Sequence, residues 1–405
     1  MNGQDEVGSL SGKFKVFVIS KFFIVLGSGF FTILLPWMSL SITGSTLFTG
    51  IIEGIVAIPL LTSFITGAFI DKVSMKKNLF LISVFGIALA TASLVFSLSL
   101  HTFLLIILAI TVPVIIISYL DDIQATSSSY FDKILLTDKQ LKKGIAIRRG
   151  TRSIARISGM AIFSYFIIFG FVFSIYFLVI IYFVAGLIFF TIRQNIVTEH
   201  IEKSESIEFL HGIKKFLSNP FLKELTILSI IMNLFFGMIS VGFAVLVKSF
   251  FNLDGSYFSY ILISLALGDA FGSILSSHTT NVKGKIIGTI SITSGFLFLT
   301  IYLFSTEHLY FALIPVTFFI GLLSGIMNGL VYAMMIKNTE PDLIGSTFGS
   351  FSSLFGGITF ISGFIAGFVL IYLPAPSLFL LIGLPIIGTG ILSSFSFPNL
   401  RKVSL

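Results

Sequence analysis

Runs of about twenty apolar residues, repeated along the chain with only short polar breaks, limit its possible folds more than any other feature. A helix needs about 20 residues to cross the roughly 30 Å hydrocarbon core of a bilayer. Twelve such runs occur, at 14–39, 46–70, 79–99, 103–122, 153–170, 172–192, 225–247, 257–277, 286–304, 309–336, 343–371 and 376–396. They are too long and too continuously apolar for barrel strands, whose side chains alternate between lipid and lumen. Within lipid, each segment must also satisfy its own backbone polar groups. The expected fold is therefore an all-α polytopic membrane protein with twelve transmembrane helices. Of 405 residues, 55% are hydrophobic and only 11% charged, which excludes an ordinary soluble domain. The first run follows the polar segment MNGQDEVGSLSGK and shows no small-residue cleavage site after it, so it reads as a retained span.

Charge placement sets the expected topology. The chain carries a net charge of +7, and in the twelve-span reading Lys13, Lys15, Lys72, Lys76, Lys77, Lys133 to Arg149, Arg193 to Lys223, Lys283, Lys285, Lys337, Arg401 and Lys402 share one side. Lys248 alone falls clearly on the other. This positive-inside asymmetry predicts a multi-pass protein of the cell membrane with both termini cytoplasmic, and it accounts for the basic pI without a nucleic-acid partner. No cysteine is present, so disulfides and thiolate metal sites are excluded. His101, His200, His211, His278 and His308 show no metal-ligand spacing, and no GxxxxGK[ST] phosphate loop exists. No cofactor and no enzymatic activity are expected.

The longest polar break divides the chain into an N-terminal six-helix bundle (1–194), a cytoplasmic linker (195–220) and a C-terminal six-helix bundle (221–405). In the linker, Ile207, Leu210, Ile213, Phe216 and Leu217 recur at helical spacing, which predicts an amphipathic helix on the membrane surface. Asn219-Pro220 supplies a cap and a first residue for the seventh span. TDKQLKKG at 137–144 and TEPDLIG at 339–345 occupy equivalent places in the two halves. Two six-span repeats around a midplane site is an architecture shared by many secondary transporters.

One interruption is specific. In GAFIDKVSMKK, residues 67–77, Gly67, Asp71, Lys72, Lys76 and Lys77 resemble the signature between the second and third helices of the major facilitator superfamily. FKVFVISKFF with Pro36 and TGS at 43–45, FLHGIKKFLSNPFLKELTILSIIMNLFFG at 210–237 and EPDLIGSTFG at 340–349 resemble its macrolide-efflux-type, drug-exporting branch. Ser28 departs from that pattern, standing where an acidic residue often follows Gly, and SGMAIFSYF at 158–166 lacks the Gly-Pro pattern of many exporters. The resemblance implies an antiporter-like permease for small molecules, working with protons or another coupling ion. It leaves oligomeric state open, and a monomer is compatible with it.

Ionisable groups inside a bilayer cost several kcal/mol and usually mark function or a partner. The candidates are Lys21, Glu53, Asp121, Asp122, Arg152, Arg156 and Asp269, on helices 1, 2, 4, 5 and 8. None lies in helices 3, 6, 9 or 12, which face lipid in the family resembled. Asp269 is about a dozen residues, or roughly 20 Å, from the outer end of its helix. Glu53 sits between Gly50 and Gly54, a small-xxx-small face that permits close helix contact. Both are read as substrate or ion-coupling groups, against the alternative of a packed or hydrogen-bonded carboxylate. Asn233 and Asn328, on helices 7 and 10, are candidate ligand contacts or helix glue.

For the fourth and fifth helices a turn near 138–139 puts Asp121-Asp122 and Arg156 at similar height, with Arg152 one turn nearer the cytoplasm. They form either a gate or a static ion pair. Gly67, Asp71, Lys72, Lys76 and Lys77 are read as a conformational latch. Asp71 would meet the N-terminus of helix 11 at Pro341-Asp342-Leu343, and Lys76 and Lys77 would bridge to the helix 4 carboxylates or to anionic lipid. The alternative is a topogenic loop. Together these features predict a secondary active transporter that works by alternating access, with ion-gradient-driven export of an amphipathic small molecule. A metabolite permease, or a non-transporting sensor or scaffold on the same fold, are the rival readings.

Overall fold

A computed structural model describes residues 10–62, 66–67, 69–70, 73, 75–192, 218–278, 284–339 and 344–402. Among them twelve long helices follow in order: α1 (Gly12–Thr43), α2 (Thr46–Leu61), α3 (Lys76–Ser93), α4 (Phe103–Leu135), α5 (Asp138–Phe166), α6 (Phe171–Phe190), α7 (Pro220–Phe250), α8 (Gly255–Ser277), α9 (Lys285–Thr306), α10 (Leu313–Lys337), α11 (Ile344–Tyr372) and α12 (Ala375–Phe395). Ten are long and apolar enough to cross a membrane, and α2 and the 356–372 part of α11 are shorter apolar helices. This is the all-α, twelve-helix fold that the apolar runs predict.

Local chemistry sets the helix ends. The Asn219 side chain accepts from the N–H groups of Phe221 and Leu222, with Pro220 as first residue of α7, so the expected cap is present. The Ser45 hydroxyl accepts the Phe48 N–H at 3.1 Å to start α2. Gly44, at φ 65°, makes the preceding reversal, a conformation that a side chain would strain. Thr137 and Gln140 form a reciprocal capping box at α5, which places the α4–α5 turn at Leu136–Thr137. The polar stretch 123–150 is therefore helical almost throughout. The ends of α4 and α5 continue well past the apolar limits at 122 and 153 because Gln124, Ser127, Ser128, Phe131, Asp132 and Leu135 have a buried face to fill.

α7 is interrupted. Its first α-helical stretch ends at Phe236, a second runs Ile239–Val245, and a π-helical turn closes it at Leu246–Phe250. A Cβ on Gly237 would meet the Ser362 side chain of α11 at 2.6 Å, and the Ser362 hydroxyl donates to the Asn233 carbonyl at 3.4 Å. The break lies where α11 crosses, and such breaks are frequent at functional positions.

By packing, the chain divides into two compact units, residues 1–34 with 65–203, and residues 35–64 with 204–405. The first unit is built on an aromatic cluster. Phe17 packs on Phe14, Phe80, Phe131 and Phe189 with ring centroids 5.6–6.3 Å apart, and all five are at most 1% exposed. α1 and α5 also meet at backbone contact, Gly29 against the Arg156 carbonyl and Gly159 against the Leu26 carbonyl. The second unit is held by glycine seams: Gly50 and Gly54 of α2 against Phe360, Gly363 and Gly367 of α11, and Gly268 and Gly272 of α8 against α10, whose Gly321 and Gly325 pack back on α8. Without a hydrophobic drive between helices in lipid, such backbone approach is the main source of packing energy.

Candidate functional site

The second unit contains a cavity of about 360 Å³ bounded by α7, α9 and α10. α7 contributes Ser229, Met232, Asn233 and Phe236, at the i, i+3, i+4, i+7 spacing of one helix face, and α10 contributes a face from Leu323 to Met335 that includes Ser324, Met327, Asn328 and Tyr332. Asn233 and Asn328, predicted separately, thus line the same space. The Asn328 amide donates to Ser324 Oγ at 3.5 Å. The lining is apolar and aromatic with a few amides and hydroxyls, the usual composition of a small-molecule pocket, and its three methionines are polarisable and adaptable. Among the described lining residues there is no carboxylate and no cation.

Sequence reasoning missed part of this wall. Met327 and Met335 are eight residues apart on one face, a recognisable signal. Ile290 and Ser294 of α9 had none, since the family resembled suggested a lipid-facing helix.

The two predicted coupling carboxylates are not among the residues that line the cavity. Glu53 lies in the α2–α11 seam, where a Cβ on Gly363 would come within 3.3 Å of its own Cβ. The Ser240 side chain of α7 is the polar group that faces its carboxyl. Among the described residues, however, the buried Ser240 hydroxyl makes no hydrogen bond. One turn or two earlier, the Thr46 hydroxyl donates to the Gly367 carbonyl at 3.0 Å and ties the same two helices together. Asp269 lies in the α8–α10 seam, with Gly321 and Gly325 pressed against its own backbone.

The first unit gathers charge instead. Asp121 of α4 faces Lys21 of α1 and then Arg152 and Arg156 of α5, and Lys21 faces Asp121, Arg152, Arg148 and Asp132. Asp122 turns away to the Thr66 hydroxyl. Asp121 and Asp122 thus have different surroundings, because successive residues on a helix point about 100° apart. The short ion pair lies further along, Arg148 to Asp132 at 2.6 Å. Sequence reasoning missed it because both residues fall outside the apolar limits of their helices.

The latch residues divide in three ways. Asp71 and Lys72, like the helix 11 start at 341–343, lie outside the described residues, and Gly67 has no atom within 4 Å of where a Cβ would stand. Lys76 is 6% exposed, with its ammonium 4.4 Å from the Tyr130 ring centroid. This sets the cation over an aromatic face of α4. Lys77 donates to the carbonyls of Phe190 and Ile192, where a cation complements the C-terminus of α6.

A family model described as Major Facilitator Superfamily matches residues 17–362. No curated protein matches the sequence. Among solved structures, that of the nucleoside transporter NupG is similar over 97% of this chain and all of its own, at 15% identity and a TM-score of 0.73. A POT family transporter in complex with 5-aminolevulinic acid is similar over 96% of each chain, at 11% identity and a TM-score of 0.75. A bacterial homologue of the human lysosomal transporter Spinster is similar over 96% of this chain and 98% of its own, at 10% identity and a TM-score of 0.66. At these identities the likeness is one of fold.

Proposed function

The chain belongs to the Major Facilitator Superfamily, and from that premise we propose that this multi-pass membrane transporter exports an amphipathic small molecule by alternating access, driven by an ion gradient. The observation that carries the reading is the cavity of the second unit, whose Asn233 and Asn328 amides stand among Met232, Met327, Met335, Phe236 and Tyr332. Amides fix orientation, and soft apolar side chains accept varied shapes. Such a wall suits a ligand that is part apolar and part hydrogen-bonding. Export over import rests on the resemblance to efflux-type permeases.

In this reading the six-helix repeats 1–194 and 221–405, joined by the 195–220 linker, are the moving bodies. The α2–α11 seam is a gate, and Glu53 inside it carries the coupling ion, with Asp269 as the second candidate. A seam closed on glycine backbone shields the Glu53 carboxyl from water, and an open one readmits it. Asp121, Arg152, Arg156 and the Asp71 latch act on the cytoplasmic side, where the positive-inside rule places them together with both termini in a cell membrane.

Counterflow in proteoliposomes with labelled lipophilic compounds tests the reading. Exchange should depend on the protein and weaken in Asn233→Ala and Asn328→Ala. A panel with no exchanged compound would leave the sensor or scaffold reading in its place.

A further inference from the structure

We propose that the cavity of the second unit is two-ended: it takes an uncharged molecule with a hydrogen-bonding group at each end of an apolar body, one end held by α7 and the other by α10. This two-ended site rests on the transporter reading, which puts the ligand in this cavity. Its basis is a repeat. SIIMN at 229–233 of α7 and SGIMN at 324–328 of α10 agree at four of five positions, and the pattern Ser-x-Ile-Met-Asn occurs nowhere else in the chain. In both copies the Ser, the Met and the Asn line the cavity: Ser229, Met232 and Asn233 on one wall, Ser324, Met327 and Asn328 on another.

The two copies are used alike. Their first, fourth and fifth residues stand at i, i+3 and i+4, which share one face of a helix. The position at which they differ, Ile230 against Gly325, is not among the described lining residues, and Gly325 packs instead on the Asp269 carbonyl of α8. Consecutive spans alternate in direction, so α7 and α10 run oppositely, as the nested inverted repeats of a six-helix half do. The cavity is therefore offered the same Ser, Met and Asn twice, in inverted order.

Each carboxamide offers an acceptor oxygen and N–H donors, and a Ser hydroxyl four residues away can act as either. In α10 the pair already touches, the Asn328 amide to Ser324 Oγ at 3.5 Å. That is longer than a good N–H···O bond, so the contact is weak and a ligand group can replace it. Neutral donors and acceptors on both walls suit a neutral polar group at both ends of the ligand. The thioethers of Met232 and Met327, each next to its Asn, suit an apolar or aromatic middle.

Rigid diamides serve as rulers: terephthalamide, naphthalene-2,6-dicarboxamide and biphenyl-4,4′-dicarboxamide, each compared with its monoamide and its dicarboxylate on the full-length purified protein in a neutral maltoside detergent. For at least one spacer the diamide should bind about fivefold tighter than the monoamide, the worth of one neutral hydrogen bond. Asn233→Ala and Asn328→Ala should each remove that advantage and lower monoamide affinity only about twofold, because one of two equivalent ends is lost. Asn328 is exposed, so its substitution does not threaten the fold, and the remaining monoamide binding reports the fold of the other variant. The dicarboxylates, with hydration to lose and no N–H donor, should bind more weakly than the diamides. A diamide no tighter than its monoamide at any spacer, an advantage removed by only one of the two substitutions, a dicarboxylate equal to its diamide, or binding of no probe would overturn the proposal. Counterflow of a compound that binds at one end only would keep the transporter reading and sink this one. Two-ended binding without counterflow of the bound diamide would do the reverse.

Discussion

The two packing units solve the same problem, a polar interior inside lipid, with different chemistry. In the first, full charges are gathered: Lys21, Asp121, Asp132, Arg148, Arg152 and Arg156 share the unit with an aromatic cluster of five phenylalanines. In the second, the described residues that line the cavity are amides, hydroxyls, thioethers and apolar side chains, none of them ionised, and Glu53 and Asp269 sit in glycine seams. Charges need partners and water, which side chains of differing length supply. Glycine seams need only two backbones at contact. The difference is one of chemistry: the first unit holds a cluster of charges, and the second a cavity whose described lining is neutral.

The largest expected effect breaks the first unit at its ion pair. Arg148→Ala leaves the 6%-exposed Asp132 side chain buried without its partner, at a cost of about 3 kcal/mol. Thermal unfolding in detergent should show it, and Arg148→Leu with Asp132→Leu should recover most of the loss. If the single substitution is neutral, water already reaches the pair and charge burial is not what distinguishes this unit.

A smaller effect is expected in the second unit. Gly50→Leu drives a side chain into the backbone of Gly363 and Gly367, where nothing flexible can yield, at a cost of about 1–3 kcal/mol. Transport should be lost while binding in the α7–α9–α10 cavity is kept. Asn328→Ala should weaken binding there by about fivefold, one neutral hydrogen bond, with stability unchanged because the residue is exposed. Smallest of all, Lys77→Met removes the cation from the C-terminus of α6 and should lower stability by about 0.3–1 kcal/mol, again read by thermal unfolding.

Much of the fold was legible in the sequence because the length of an apolar run is a direct measure of bilayer thickness. The limits of the sixth, eighth, ninth, eleventh and twelfth helices agree with the runs to within two residues. The Asn219-Pro220 start of α7 was legible because capping is local chemistry. Other features were hidden for physical reasons. Hydropathy reports the solvent around a helix, so it stops at 122 and 153 although α4 and α5 continue. It carries no rotation angle, so it does not separate the surroundings of Asp121 from those of Asp122. The cavity was half legible: Asn233 and Asn328 stood out as polar groups in apolar runs, whereas the α9 contribution depends on how three helices pack.

The central claim is that the carboxylates in the glycine seams, outside the ligand cavity, couple transport to an ion gradient. It is tested most directly by measuring, in one set of proteoliposomes, uphill accumulation and counterflow exchange of the same labelled compound for wild type, Glu53→Gln and Asp269→Asn. The account predicts that neutralising the coupling carboxylate, with Glu53 placed first by its position in the α2–α11 seam, abolishes accumulation and leaves exchange largely intact. Full accumulation in both variants would contradict it.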